Sequence, residues 1–245
     1  MGVRDLVPRE HALWGWIGLP LFAVLLAVPS RTTALVALCT VAGFGAWNAV
    51  GRWLRGSEGA VGAALAASLG ATVLAVPAVL LAPLPVVLGG ALVIAGGVAA
   101  AVAAATRGKV HQEPTAEAVG IAFLCGFAWL IGVGGGGDAR HLAVILAVVL
   151  TWQLLGLWWI NRSLAPFLPN RVLWARGPVI AAIAVAGTAI TAVAFGYPLV
   201  GLLPLAYFGR VASTGVVQGV RDARRLGMSE LAWGLALATV AVQLR

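Results

Sequence analysis

Charged residues are scarce in this chain of 245 residues, making up 10% of it against 61% hydrophobic residues. A soluble domain needs far more charge on its surface, so this composition excludes a soluble protein. Cysteine is nearly absent too. Cys39 and Cys125 both lie in apolar runs without CxxC or Cys/His spacing, which excludes a disulfide framework and a zinc site and predicts two packing residues.

The common catalytic and nucleotide-binding motifs are also missing. The sequence has no Gly-x-Ser-x-Gly, no paired catalytic carboxylates, no c-type haem motif and no dinucleotide fingerprint. The glycine-rich run Gly132–Gly137 lacks the Gly-Lys-Ser/Thr ending of a phosphate-binding loop, so we interpret it as a flexible turn. No metal and no cofactor are predicted.

Nine long apolar runs make up most of the chain. Each approaches the roughly 20 residues that cross about 30 Å of hydrocarbon as a helix, whereas a barrel would show alternating segments of about 10 residues. We therefore predict one domain, residues 1–245, that is an all-α polytopic bundle of about nine transmembrane helices. The predicted spans are Ala12–Val28, Thr33–Val50, Ala60–Leu81, Val86–Ala105, Thr115–Val133, Leu142–Ile160, Pro178–Phe195, Tyr197–Val217 and Leu231–Leu244.

Lysine and arginine fall almost entirely in alternate gaps between these runs. The positive-inside rule places that side in the cytoplasm, which predicts a multi-pass protein of the bacterial cytoplasmic membrane with its N-terminus inside and its C-terminus outside. The net charge of +8 then reflects anchoring to anionic headgroups of the bilayer, not binding of nucleic acid. Thirteen of the 16 basic residues lie on this side: Arg4, Arg9, Arg52, Arg55, Arg107, Lys109, Arg162, Arg171, Arg176, Arg210, Arg221, Arg224 and Arg225.

Seven of the eight acidic residues fall on the same side, all except Asp138. Orientation requires only the bases, so the acids need another reason, and a polar cytoplasmic pocket provides one. We expect this pocket to bind a small anionic, lipid or isoprenoid headgroup. Its candidate residues are Glu10, His11, Asn48, Arg52, Arg107, His111, Glu113, Glu117, Arg210 and Glu230.

Several of these candidates have a structural alternative. Arg52 and Arg55 are three residues apart and could grip a phosphate, or they could extend to lipid headgroups. Glu117 follows Pro114, which suits the first position of a helix, so its carboxylate could simply stabilise the helix N-terminus. Gln153 is a polar side chain well inside the sixth predicted span, and we expect it to form a hydrogen bond between helices.

Arg210 has two interpretations. If the eighth helix runs from Tyr197 to Val220, Arg210 lies near its middle, where a charge is costly and usually marks a partner or an anionic substrate. If the span ends near Gly209, Arg210 begins an amphipathic stretch at the membrane interface.

The opening VPREHALWGWIGLPL resembles the Pro-x-Glu-His-Gly-Ala-Trp start of the first helix in the YwiC-like family of bacterial membrane proteins, with Ala12 and Leu13 in place of Gly and Ala. The segment RDARRLGMSELAWGLALA resembles the basic stretch, Gly and Glu that precede the last helix of that family. The family has no established activity, but the resemblance implies a shared role for Glu10, His11 and Glu230.

The layout also resembles the UbiA-type prenyltransferases, which implies a similar helical arrangement. Those enzymes hold Mg²⁺ and a prenyl diphosphate with Asp-rich motifs in two cytoplasmic gaps. Here Ala49 and Arg52 stand where aspartates are needed, and the gap after Ile160 has no carboxylate. Prenyl transfer is therefore not expected. A small-solute or ion transporter and a non-catalytic accessory protein remain alternatives to a headgroup-binding protein.

Overall fold

A computed structural model describes residues 11–54, 60–107, 114–164, 177–213 and 220–244 of the chain, with the backbone alone at some helix ends. These residues form α-helices and no strand, which confirms the predicted all-α class for the described part. The helices are α1 (His11–Ala27), α2 (Arg31–Leu54), α3 (Ala60–Leu81), α4 (Leu84–Arg107), α5 (Pro114–Gly134), α6 (Ala139–Leu164), α7 (Gly177–Ala194), α8 (Leu203–Ser213) and α9 (Val220–Gln243), with a 3₁₀ turn at Val200–Leu202 before α8.

Several helices extend beyond the apolar runs that predicted them. The largest difference is in α9, which begins at Val220 and not at Leu231. Hydropathy marks only the apolar part of a helix, whereas arginine and alanine are good helix formers and continue it into the polar segment. The prediction that Glu230 precedes the last helix was therefore wrong, because Glu230 lies inside α9.

Three helices in the described ranges are long and apolar enough to cross a membrane. They contain the segments Glu117–Gly134, Ala139–Trp159 and Gly177–Ala194. Shorter apolar stretches of 10–17 residues lie in α1, α2, α3, α4 and the segment Val200–Val211.

The centre of the structure is α6, which packs against α1, α5, α7, α8 and α9. In the 18-residue apolar stretch within Ala139–Trp159, 78% of the positions are buried, compared with 22% in Gly177–Ala194 of α7. Large buried apolar side chains lie all around α6, including the consecutive residues Val144, Ile145 and Leu146, and a helix with that pattern is stable only when it is surrounded.

The outer helices present the opposite picture. Leu80 and Val73 of α3 are 79% and 71% exposed, and Ile190 of α7 is 69% exposed. Contiguous apolar faces of this kind are rare on soluble proteins and are typical of surfaces that contact lipid or another protein.

Three inter-helix segments meet at one end of the structure around a cleft of about 420 Å³, here called the loop cleft. Helix caps form part of its rim. Ser30 Oγ accepts a hydrogen bond from the backbone N–H of Thr33 at 3.1 Å, and Asp138 Oδ1 accepts one from the backbone N–H of His141 at 2.7 Å. The lining residues are Ala27, Val28, Pro29, Ser30, Gly136, Gly137, Asp138, His141 and Tyr197.

The glycine-rich run beside this cleft forms a packed turn and not the flexible turn expected from the sequence. A Cβ atom on Gly135 would overlap Thr33 Oγ1, and one on Gly137 would overlap Val28. Gly136 has φ +93°, a backbone conformation that residues with a side chain rarely adopt. The glycines are therefore needed because the turn lies directly against the loop between α1 and α2.

Candidate functional site

Three helices, α6, α8 and α9, bring polar and aromatic side chains together beside the second half of α6. On α6, Trp152, Gly156 and Trp159 are three or four residues apart and so share one face. The same spacing joins Tyr207 to Arg210 on α8, and Glu230 to Trp233 and Gly234 on α9. Because α8 and α9 both pack on α6, these faces converge.

Glu230 is the polar centre of this region. Tyr207 Oη donates a hydrogen bond to Glu230 Oε2, and Arg210 Nη1 donates one to Glu230 Oε1, forming an ion pair. Arg210 Nη2 donates to Ser229 Oγ at 2.8 Å. We call Tyr207, Arg210, Ser229 and Glu230 the ion-pair site.

The ion-pair site is largely withdrawn from solvent. Tyr207 is fully buried and Glu230 is 4% exposed. The side chain of Arg210 retains 16% exposure. A carboxylate removed from water costs several kcal/mol unless it is paired and hydrogen-bonded, and here both oxygens of Glu230 have a donor. Arg210 is thus the part of the pair that an external molecule can reach.

Three aromatic rings surround the guanidinium of Arg210. Its Cζ lies 5.3 Å from the ring centre of Trp233, 5.7 Å from that of Tyr207 and 5.9 Å from that of Trp159. Aromatic faces attract cations within about 6 Å, most strongly when little water separates them. The rings therefore supplement Glu230 in stabilising the positive charge.

Two glycines lie against the larger side chains of this region. A Cβ atom on Gly234 would lie 2.8 Å from Trp152 Cζ2 and 2.9 Å from Leu19 Cδ2. A Cβ atom on Gly156 would lie 3.5 Å from Tyr207 Oη, at ordinary contact distance. The absent side chain of Gly234 thus allows the indole of Trp152 to pack directly against α9.

Trp152 also carries a polar atom of interest. Its indole Nε1 is buried and has no hydrogen-bond partner among the described residues. The ring lies 6.3 Å from that of Tyr207, so this donor belongs to the same region as the ion-pair site. A buried donor without an acceptor costs about 1–3 kcal/mol, and an acceptor on a molecule bound beside the indole would remove that cost.

The structure matches neither of the two interpretations of Arg210 in full. Helix α8 begins at Leu203 and not at Tyr197, and its described part continues past Gly209 to Ser213, so Arg210 lies inside a helix and does not begin a separate stretch. It has a partner, as expected for a charge on an apolar helix. From His141 in the loop cleft to Trp159 the α6 axis rises about 27 Å, so the ion-pair site lies far from the cleft.

The other candidate residues are distributed as follows. Glu117 lies in the first turn of α5, which begins at Pro114 as predicted, and α5 packs on α1, α2, α4 and α6. His11, Asn48, Arg52 and Arg107 lie in helices whose backbone alone is described at those positions, and Glu10, His111 and Glu113 lie outside the described residues. Of the ten candidates, the structure joins Arg210 to Glu230.

Sequence reasoning missed Tyr207, Ser229 and the three tryptophans. These residues lie in or beside apolar runs, where aromatic residues are usually core or interfacial packing. The available signal was spacing, because Tyr207 is three residues before Arg210 and Trp233 three residues after Glu230. That signal becomes specific only when α8 and α9 are known to lie on the same face of α6.

Deeper polar residues form contacts between helices. Cys125 Sγ donates a weak hydrogen bond to Gln153 Oε1 at 3.7 Å, which confirms the predicted interhelical role of Gln153. The hydroxyls of Thr151 and Thr188 lie 2.7 Å apart and join α6 to α7. No group of three or more His, Cys, Asp or Glu side chains that could hold a metal ion occurs within the described ranges.

Comparison with known proteins adds no further assignment. No protein-family model, no curated protein and no solved structure matches this chain.

Proposed function

We propose that this chain is a multi-pass protein of the bacterial cytoplasmic membrane, related to the YwiC-like family, with nine spanning helices and a cytoplasmic N-terminus. Three apolar helices of sufficient length and the exposed apolar faces of α3 and α7 support a membrane environment. The distribution of lysine and arginine supports the orientation.

We propose further that the ion-pair site binds the anionic headgroup of a membrane lipid. One observation carries this proposal: Arg210 is a partly exposed cation, on an otherwise apolar helix, joined to an almost fully buried carboxylate. Ionisable residues inside membrane helices are costly, and they usually mark a functional site. A planar guanidinium also suits the oxygens of a phosphate, which it can bind through two hydrogen bonds.

The surroundings of Arg210 favour a lipid over a free anion. Phe208 and Leu231, next to the site on α8 and α9, are 43% and 38% exposed, and Trp233 is 40% exposed. In a bilayer these apolar side chains contact acyl chains, while tryptophan favours the level of the headgroups. A ligand with a phosphate and acyl chains therefore matches the site better than a phosphate alone.

Ligand-induced stabilisation tests this proposal. The purified protein in an uncharged detergent is heated with phosphatidylglycerol, an isoprenoid phosphate, inorganic phosphate or phosphatidylcholine, and each variant is compared with its own midpoint without ligand. We expect phosphatidylglycerol to raise the wild-type midpoint, since a ligand at about 100 times its Kd adds about 2.7 kcal/mol. Arg210→Gln should abolish this shift.

Arg162→Gln is the matched control. Arg162 is exposed in the last turn of α6, on the helix that carries Trp159, and it has the same charge as Arg210. Loss of the shift in both variants would indicate nonspecific attraction to negative lipid and would contradict the proposal. A shift with inorganic phosphate equal to that with phosphatidylglycerol would identify a soluble anion as the ligand, and a transporter would then be the better interpretation.

A further inference from the structure

The charge balance of the ion-pair site limits what can bind there. Arg210 and Glu230 carry opposite charges, and the pair is neutral as a whole. An added headgroup phosphate would leave one uncompensated negative charge in surroundings made of Tyr207, Trp159 and Trp233. Removing an unpaired charge from water is so costly that a buried group usually becomes neutral instead.

We propose that headgroup binding at the ion-pair site is coupled to uptake of one proton by Glu230. This inference rests on the function proposed above. In the free protein Arg210 Nη1 donates to Glu230 Oε1. When the phosphate takes this donor, Glu230 accepts a proton from water and becomes a neutral carboxylic acid. The site is then neutral before binding and neutral after it, with one anion and one proton added together.

The hydrogen bonds of Glu230 indicate which oxygen is protonated. Tyr207 Oη donates to Oε2, and Tyr207 is fully buried, so this bond does not depend on the exposed ligand. Oε1 is the oxygen that loses Arg210. The proton therefore goes to Oε1, where it replaces the donor that the phosphate has removed.

The neighbours of Glu230 provide no alternative proton acceptor among the described residues. Helix α8 contributes Arg210, a permanent cation, and Tyr207, which is already a donor. Helix α9 itself contributes Ser229 and Trp233. From α6 and α1, which also pack on α9, the side chains that contact this region are Trp152 and Leu19, beside Gly234, and Trp159, beside Arg210. None of them takes up a proton near neutral pH.

A metal cation could also balance the phosphate, but the site is poorly suited to one. Hard cations such as Mg²⁺ and Ca²⁺ prefer six or more oxygen ligands. The described side-chain oxygens at the site are those of Glu230, Tyr207 and Ser229, and the remaining surface is aromatic. A proton requires only one oxygen, so it is the better counter-charge.

Calorimetry measures this coupling directly. Dihexanoyl-phosphatidylglycerol is titrated into the full-length protein in an uncharged detergent, at one pH, in two buffers with different ionisation enthalpies. The difference in heat gives the number of protons taken up per lipid bound. We expect about one proton per lipid for the wild type. In the pH range where one proton is taken up, the apparent Kd should fall about tenfold for each unit decrease in pH.

Two variants locate the proton. Glu230→Gln keeps a neutral side chain of nearly the same shape, so we expect it to bind the lipid with uptake near zero and an affinity independent of pH. Asp138→Asn changes an exposed carboxylate at the loop cleft, far from the ion-pair site, and should keep the wild-type uptake.

The possible failures are distinguishable. Wild-type binding without proton uptake, or uptake that persists in Glu230→Gln, would overturn the coupling and leave lipid binding intact. Uptake replaced by a dependence on sodium or magnesium concentration would overturn it as well. Absence of any binding by the wild type would instead refute the proposed function itself.

Discussion

The loop cleft and the ion-pair site differ in how far apart in the sequence their hydrogen-bond partners lie. At the loop cleft the helix caps are local, because Ser30 bonds to Thr33 and Asp138 to His141, each three residues away. At the ion-pair site the partners of Arg210 and Tyr207 lie 19 to 23 residues away, on another helix. The first set fixes the starts of helices, and the second joins helices that pack separately on α6.

This difference separates structural polarity from functional polarity. Helix caps satisfy backbone groups that every helix leaves without partners, so they are expected wherever a helix begins. A charged pair between helices satisfies no such requirement, because apolar side chains of similar size would pack as well or better. Packing alone therefore does not explain the charged pair of the ion-pair site, which indicates a functional role.

Removing one member of the ion pair should have the largest effect. Arg210→Ala leaves Glu230 buried with an uncompensated charge, so we expect the free energy of unfolding to fall by about 3–5 kcal/mol. The double variant Arg210→Met with Glu230→Leu should recover much of this loss. Denaturant unfolding in detergent measures both.

Arg140, exposed beside the loop cleft, is the control for that comparison. Arg140→Ala should change the free energy of unfolding by less than about 0.5 kcal/mol. Equal losses of unfolding free energy in Arg140→Ala and Arg210→Ala would show that the loop cleft and the ion-pair site do not differ in the way described.

The next largest effect is expected in the packed turn at the loop cleft. The added methyl group of Gly135→Ala would overlap Thr33 Oγ1 and approach Ser30 Oγ, so both ends of the cap would have to move. Overpacking of this kind costs about 1–3 kcal/mol. Gly126→Ala, where a Cβ atom meets nothing within 4 Å, should leave the unfolding midpoint unchanged or slightly raised.

A matched pair of glycines tests the packing around the ion-pair site. Gly234→Ala pushes against the rigid indole of Trp152 at 2.8 Å, and we expect a loss of about 1–2 kcal/mol. Gly156→Ala meets Tyr207 Oη at 3.5 Å and should be tolerated. Thermal unfolding of the two variants side by side measures the difference, and the reverse order would contradict this arrangement of α6 and α9.

The smallest effect concerns pH at the loop cleft. The backbone N–H of His141 holds the pKa of Asp138 below its usual value. A carboxyl with a lowered pKa in the folded state stabilises the protein above its unfolded-state pKa, near 3.9, and loses that contribution as the pH falls through the lower folded value. Asp138→Asn keeps the cap and cannot titrate, so its unfolding midpoint should fall less below about pH 4. Parallel profiles for both proteins would contradict this assignment.

The sequence predicts the fold of the described part better than it predicts the site. Apolar runs are a local property, so most helices and the turn after α5 follow from it. The start of α9 does not, because Arg221 and Arg224 continue a helix outside its apolar part. Arg210 and Glu230 are each recognisable as charges near apolar runs, but their pairing depends on how α8 and α9 pack on α6, which no local pattern contains.

Native mass spectrometry of the protein released from bilayers that contain phosphatidylglycerol and phosphatidylcholine tests lipid binding at the ion-pair site most directly. We predict that the wild type and Arg162→Gln retain one phosphatidylglycerol that Arg210→Gln loses, with no difference in retained phosphatidylcholine. Equal retention of phosphatidylglycerol by Arg210→Gln and the wild type would contradict the account.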